Sequence, residues 1–508
     1  MKLASKTLVS SLDSSRKTTS ELVDTRHLAG KGRVLSGFFC LELSCVAAFL
    51  VLLRNGQNEL AVTLLLVPFQ LLAWLALAGN GNAILVAFTA LLPLAGARML
   101  PYNYDRFVHL PGTLVLFCLL TLTGYLSANP TTRPRLTVPE WLPLVALAAW
   151  TSFSGANAVA HGWGTRILLI MTLVTAEVMI LTYFFAVIPK SLKQVRVLIY
   201  TVVAAAVFVA LWVPSFRGSS GVPGPTLGGK MVDTPFGSVN LNTIGYVMGP
   251  IAALALGMAV ESRQRRTRFL LSAAVFLCVV MLVLTKSRGA WLGFGAAFLY
   301  VVMRRRSLPL FLLAAAVGAA VVLSDTLWAL LASRAAATTA YDPSLLGRFL
   351  LWDYAWHIGK ANWLLGVGME NFRYVKQLQG YPLPIRIGLD FNAHNIYLEA
   401  FADLGIVGLA LFIWLLAGAF LRSSKAVGLE GASDLGLGLS AGIVAYAAHG
   451  LVDSILFQQG VFALLGMLVG LSTSLARLTE TGSTAIGRTC GGKTEVGQLA
   501  PSGGAPGS

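Results

Sequence analysis

Long apolar runs separated by short polar connections fill most of this chain. Measured against the roughly 20 apolar residues that a bilayer-crossing helix needs, the pattern gives up to fourteen candidates. They lie near residues 34–53, 60–78, 83–100, 108–126, 138–158, 166–189, 195–214, 241–260, 269–285, 290–303, 308–323, 396–421, 435–452 and 455–476. Some are short or closely spaced, 83–100 and 290–303 in particular, so the expectation is an all-α polytopic membrane protein with 12 to 14 transmembrane helices. Two connections stand out by length. Residues 215–240 are rich in glycine and proline and do not suit a regular helix, while residues 324–393 form a loop of about 70 residues, long enough to carry structure and a role of its own. Within it Leu345, Phe349, Trp352 and Trp356 recur at helical spacing beside Arg348, Asp353 and Lys360, which predicts an interfacial helix. The "GVG" at 366–368 ends that helix, and "YPLP" at 381–384 imposes an extended or turning segment.

Composition supports the membrane reading. The chain of 508 residues is 56% hydrophobic and 12% charged, far from the roughly one-quarter charged norm of soluble domains. The net charge of +16 does not point to nucleic acid, because the basic residues sit in short connections between apolar runs, where they set orientation. With the N-terminus inside, 24 of the 38 Lys and Arg residues fall on the cytoplasmic side, including "RQRRTR" at 263–268 and "RRR" at 304–306. Both termini are therefore expected in the cytoplasm, and both long connections outside. The resulting division is a cytoplasmic segment 1–33, a helix bundle 34–323 with the exported loop 215–240, a periplasmic loop 324–393, C-terminal transmembrane helices 394–476, and a disordered cytoplasmic tail 477–508 rich in Gly, Ser and Thr. No removable signal peptide is expected, no phosphate-binding GxxxxGK[ST] loop occurs, and the five cysteines have no metal-like spacing.

The exported side collects more chemistry than the orientation rule predicts for it: Arg217, Lys286, Arg288, Arg348, Arg386 and His394. Lys286 and Arg288 belong to the short "TKSRGAW", which holds them near headgroup height beside Ser287 and Gly289. Arginines at helix ends commonly just reach for the interface, but a hydroxyl and a glycine beside them permit the close backbone approach of an anion site, and guanidinium binds phosphate oxygens bidentately. The 215–240 loop is either a flexible connector or a loop folded against a ligand, with Arg217 as an anchor and Asn240 and Asn242 capping the next helix. In "FNAHNIYLEAFADLGIVG" at 391–408, Asn392 or Asn395 caps a helix beginning near 396 and His394 sits at its positive end, which disfavours imidazole protonation. Tyr397 shares its face, and Asp390, four residues earlier, is within reach to orient the ring. Glu399 and Asp403 fall deeper and should be paired or face a cavity, while Gly405 and Gly408 suit close helix packing. No closely spaced carboxylate pair for a divalent metal appears on this side, so any phosphate chemistry falls to the arginines.

Taken in order, "SRGAW" at 287–291, "GRFLLWDYAW" at 347–356, "LLGVGMENF" at 364–372 and "AHNIYLEAFADLGIVG" at 393–408 resemble the successive motifs of the bacterial O-antigen ligase and O-antigen polymerase superfamily. The resemblance implies an inner-membrane glycosyltransferase that uses a sugar donor on undecaprenyl pyrophosphate, works on the periplasmic face and requires neither metal nor cofactor. In the ligase branch the O-antigen polysaccharide moves to the lipid A-core oligosaccharide of lipopolysaccharide. By motif, Arg288 and His394 match the family's essential arginine and histidine, with Arg217 and Arg348 carried over beside them; the residues' own chemistry suits His394 as general base in an inverting transfer and adds Lys286, Arg386, Asp390 and Tyr397 as expected substrate-binding residues. Alternatives are an O-antigen polymerase, a protein O-oligosaccharyltransferase, or, from a different class, a lipid-linked glycan transporter.

Overall fold

The structure, a computed structural model, describes residues 81–96, 138–163, 175, 178–212, 231–234, 237–285, 287–306, 343–381, 392–454 and 459–491. Of the expected spans, 34–53, 60–78, 108–126 and 308–323 lie outside these residues. The described chain is helical apart from one hairpin. In order, the elements are α1 (Gly81–Gly96), α2 (Val138–Ala160), α3 (Val178–Val187), α4 (Leu192–Trp212), β1 (Met231–Thr234), β2 (Gly237–Asn240), α5 (Leu241–Glu261), α6 (Arg265–Thr285), α7 (Arg288–Arg305), α8 (Pro343–Ala361), α9 (Phe372–Leu378), α10 (Ile396–Lys425), α11 (Ser433–His449) and α12 (Gln459–Gly491). Six helices among the described residues are long and apolar enough to cross a membrane: 142–160, 192–212, 242–261, 265–285, 396–425 and 461–480. The protein is a helical membrane protein.

The hairpin, in the connection already expected to be non-helical, departs from the all-α class expected for the chain as a whole. β1 and β2 pair antiparallel with Thr234 opposite Gly237, so the chain enters α5 from a strand. α12 runs to Gly491, past position 477 where composition alone places the start of an unstructured tail.

α5 and α11 form the centre of the bundle, and glycine sets their spacing. A Cβ on Gly257 would stand 2.6 Å from the Leu437 carbonyl oxygen, and one on Gly438 would stand 2.8 Å from that of Leu254. Only bare backbone fits at this crossing. Where burial in water-excluding lipid gives little hydrophobic drive between helices, such contact is the main source of attraction. α7 lies against the same helix, with Gly293 over the Ala445 carbonyl.

The two ends of the bundle differ in chemistry. At one end the termini of α4, α5, α7 and α11 meet in ion pairs: Arg196 makes two 2.8 Å bonds to Asp434, and Arg305 pairs with Glu261, whose other partner is Ser433. A polar cleft of about 690 Å³ opens there. At the other end come together the start of α7, the end of α11 and the start of α10, with α8 and α9 packed on the latter through Leu351, Tyr354, Ile358, Val367, Phe372 and Val375. The α8 face buried in this small core is Leu351, Tyr354, Ala355 and Ile358; the stripe of Phe349 and Trp356 points outward.

α10 is two helices in one. Gly405 has φ +69° and ψ −172°, so the hydrogen-bond ladder breaks there. The carbonyls released by the break all find donors, as buried backbone requires. Ala402 receives Val367 N–H at 3.0 Å, Asp403 receives Gly368 N–H at 2.8 Å and the Ser154 hydroxyl at 3.0 Å, and Leu404 receives Trp150 Nε1 at 2.7 Å. Gly405 thus serves a broken backbone rather than the helix-to-helix contact expected for it, and its missing Cβ leaves room for the Leu364 carbonyl. Gly408 does lie against a neighbouring helix, at Trp150 of α2.

Candidate active site

The α10 N-terminus is built as its sequence suggests. Asn395, of the two asparagines considered, is the cap: its side-chain oxygen accepts the N–H groups of Tyr397 and Leu398 at 3.0 and 3.1 Å. His394 immediately precedes the cap with φ +53°, a left-handed conformation in a non-glycine residue. Such backbone is uncommon and persists only where its surroundings fix it. Here the carbonyl of His394 accepts Trp352 Nε1 of α8 at 3.3 Å, and the ring is held from the other side.

That other side is Asp453, in the Gly450–Ser454 turn that follows α11. Its Oδ1 lies 2.7 Å from His394 Nδ1, and its Oδ2 lies 3.7 Å from a guanidinium nitrogen of Arg348. The carboxylate is 2% exposed, against 21% for His394 and 18% for Arg348, so these two side chains cover it. Burial opposes its ionisation, yet the neighbouring His394 with its hydrogen bond, then Arg348 and His449, outweigh that and hold the Asp453 carboxyl well below the usual carboxylate range. The structure therefore supplies a carboxylate–imidazole pair in which the carboxylate stays charged.

Arg288 opens α7. Ser287 caps that helix through Ala290 N–H at 3.4 Å, and Gly289 brings its first turn onto α11: a Cβ there would stand 2.7 Å from the His449 ring and 3.1 Å from Val452. The helix start that carries Arg288 thus abuts the end of α11 just ahead of Asp453. With α8 bringing Arg348, three segments far apart in sequence present their ends at one place. Part of this arrangement, from the middle of α6 into the second half of α10, falls in a segment that matches a family model.

Residues 273–413 match the O-antigen ligase family model. The motif resemblance is thereby established over this segment. The O-antigen ligase segment takes in Arg288, Arg348 and His394 but stops before His449 and Asp453, which α11 and its following turn contribute from outside it. No curated protein matches the chain.

Of the remaining expected residues, Tyr397 turns into the bundle, where its hydroxyl donates to the Ala447 carbonyl at 2.9 Å. Arg217, Lys286, Arg386 and Asp390 lie outside the described residues. For the orientation of the His394 ring, the partner the structure supplies is Asp453, which the sequence reading did not single out. A signal for it existed: Asp453 is the one carboxylate between residues 435 and 479, and the topology expected from the sequence places it on the same side as His394.

Glu399 and Asp403 are both wholly buried, and among the described residues neither forms an ion pair within salt-bridge distance. Asp403 accepts the N–H groups of Glu370 and Phe372 at 2.7 and 2.8 Å, which ties the 366–372 loop to α10. Glu399 accepts the Ser454 hydroxyl. Glu370, itself buried with φ +63°, pairs with Arg373; burial pushes its carboxyl up, and Arg373 opposes the rise. Among the described residues no group of three or more His, Cys, Asp or Glu side chains is arranged to hold a metal ion. The cleft at the opposite end does not offer a comparable site, since its Arg196 and Arg305 are committed to Asp434 and Glu261.

Proposed function

We propose that the protein is a glycosyltransferase of the inner membrane that moves O-antigen polysaccharide from undecaprenyl pyrophosphate to the lipid A-core oligosaccharide, with its site on the periplasmic face. The observation that carries this reading is the 2.7 Å contact between His394 Nδ1 and Asp453, beside Arg348 and at the end of the bundle that receives the start of α7. The family match names the activity class. The orientation is supported by the opposite end, where Arg263, Arg265, Arg266, Arg268, Arg304, Arg305 and Arg306 gather, as cytoplasmic loops require.

The chemistry follows from the pair. A carboxylate accepting from Nδ1–H fixes the tautomer that leaves the lone pair on Nε2. In this reading Nε2 takes the proton from the acceptor hydroxyl as its oxygen bonds to the anomeric carbon, and the bond from that carbon to the pyrophosphate oxygen breaks. Asp453 stabilises the imidazolium so formed. The pyrophosphate leaves as an anion already able to carry the charge, so no strong acid is needed, and Arg288 with Arg348 bind it through preorganised, permanently charged donors. A single displacement inverts the anomeric configuration. No step calls for a metal or cofactor.

Purified protein reconstituted with lipid-linked glycan and lipid A-core tests the proposal. Transfer should be lost in His394→Ala and in Arg288→Ala, each shown to be inserted and folded, and should survive a chelator. Normal transfer by both variants would remove the assigned roles. A strain lacking the protein should accumulate long lipid-linked glycan; accumulation of single repeat units instead would mark a polymerase using the same donor with a lipid-linked acceptor.

A further inference from the structure

The functional reading above leaves the buried Glu399 without a task, and the geometry around it supplies one. Asp453 sits in a turn, so nothing in regular secondary structure aims its side chain. The turn is held instead by the start of α10. Its first half is fixed three ways: Ile396 N–H donates to the Gly450 carbonyl at 2.8 Å, Asn395 Nδ2 donates to that of Leu451 at 2.9 Å, and the Ile396 side chain fills the place a Cβ on Gly450 would take. Its second half is fixed by Ser454, whose hydroxyl donates to Glu399 Oε2. The Ser454 N–H donates to Asp453 Oδ1 at 3.1 Å, the same oxygen that faces His394 Nδ1.

We propose that Glu399 is a positioning residue for glycosyl transfer: through Ser454 it fixes the direction of the Asp453 carboxylate, and through that carboxylate the imidazole of His394. Packing alone does not call for a carboxylate at this place. Glu399 is fully buried, its other oxygen has no hydrogen-bond partner among the described residues, and a buried polar atom left so is costly. An apolar side chain would fit the helix face better and would release Ser454. Glu399 lies in the first turn of α10 and His394 just before its cap, so one helix start brings together the base and the anchor of the base's partner.

This inference rests on the proposed function, and the experiment separates the two. In the reconstituted full-length enzyme, Ser454→Ala and Glu399→Leu should each lower kcat about tenfold, the rate equivalent of one lost hydrogen bond at the site, with the KM for the lipid-linked donor unchanged. The acid limb of the pH–rate profile should move to lower pH by about half a unit or more, because the base loses a well-aimed anion while Arg348 and His449 continue to face the same carboxylate. Glu399→Gln and Ser454→Thr, which keep an acceptor and a donor, should restore both rate and profile, and the double variant should be no slower than either single. If Glu399→Leu does not fold, Ser454→Ala decides alone. Wild-type kcat in a folded Ser454→Ala, or a slower enzyme with an unmoved pH profile, overturns the positioning role. Retained transfer in His394→Ala and Asp453→Asn overturns the functional reading itself.

Discussion

His394 and Asp453 stand 59 positions apart in sequence and 2.7 Å apart in space. Neither reaches the other through its own element: one precedes a helix cap, and the other follows a helix end. The pair exists because α10 and α11 are packed with these termini side by side, which makes the pairing a test of the fold as well as of the chemistry.

Asp453→Asn should leave the fold intact and slow transfer steeply. The amide can present its N–H₂ to Nδ1, which favours the tautomer with its proton on Nε2 and removes the base. The expected loss in kcat is on the order of 10²–10⁴, the range seen when a general base is disabled, with little change in KM. His394→Ala should fall in the same range, and the double variant should be no worse than either. Steady-state kinetics with a defined acceptor checks all three.

The acid side of the stability profile should also report Asp453. Its folded pKa is depressed, so its contribution to stability is fully present above the unfolded value of about 4 and is lost as pH falls through the lower folded value. Between those two values stability should rise with pH. Thermal unfolding in detergent should show this slope below about pH 4 in the wild type, and a shallower one in Asp453→Asn.

Asp403→Asn should loosen the 366–372 loop without touching the reactive pair. One of the two N–H donors, from Glu370 or Phe372, would then meet an amide N–H₂ instead of an oxygen. A loss of about 1–3 kcal/mol is expected for a buried bond broken in this way. Limited proteolysis within residues 366–372, compared with wild type, gives the readout, and unchanged cleavage rates would contradict it.

Gly405→Ala should be the harsher change. The position has φ +69°, and a Cβ would stand 2.1 Å from the Leu364 carbonyl oxygen. Strain of that backbone together with the collision should cost more than about 2 kcal/mol. Lower yield of inserted protein and a lower unfolding temperature are the expected results, whereas Gly380→Ala, at φ +66° in open space, should be far milder.

Much of the site's linear part was legible in the sequence. The Asn395 cap, the Ser287 and Gly289 pattern at the start of α7, and the helix carrying Arg348 all follow from local rules about caps, small residues and periodicity. What those rules do not encode is which helix end lies beside which. Asp390, local to His394, was the natural candidate to orient the ring and lies outside the described residues; the partner that the structure does describe comes from a turn beyond the next helix. The outward stripe of Phe349 and Trp356 was visible as periodicity, but the opposite, buried face of α8 is set by the 366–372 loop folding back, which periodicity does not register. Likewise, two glycines in "ADLGIVG" look alike in sequence, and only the backbone angle at Gly405 separates the one that breaks a helix from the one that packs it.

The break at Gly405 also sets an elevation. From Ile406 to Lys425 the intact part of α10 holds about 20 residues and rises roughly 30 Å, the thickness of a hydrocarbon layer. The stub from Ile396 to Leu404 adds roughly 13 Å of helix beyond the break, and Glu399 and Asp403 within it are wholly buried by protein. On the proposed function, His394 at the start of the stub is set apart from the membrane-length part of the helix by the break, which suits contact with a glycan chain rather than with the hydrocarbon tail that anchors it.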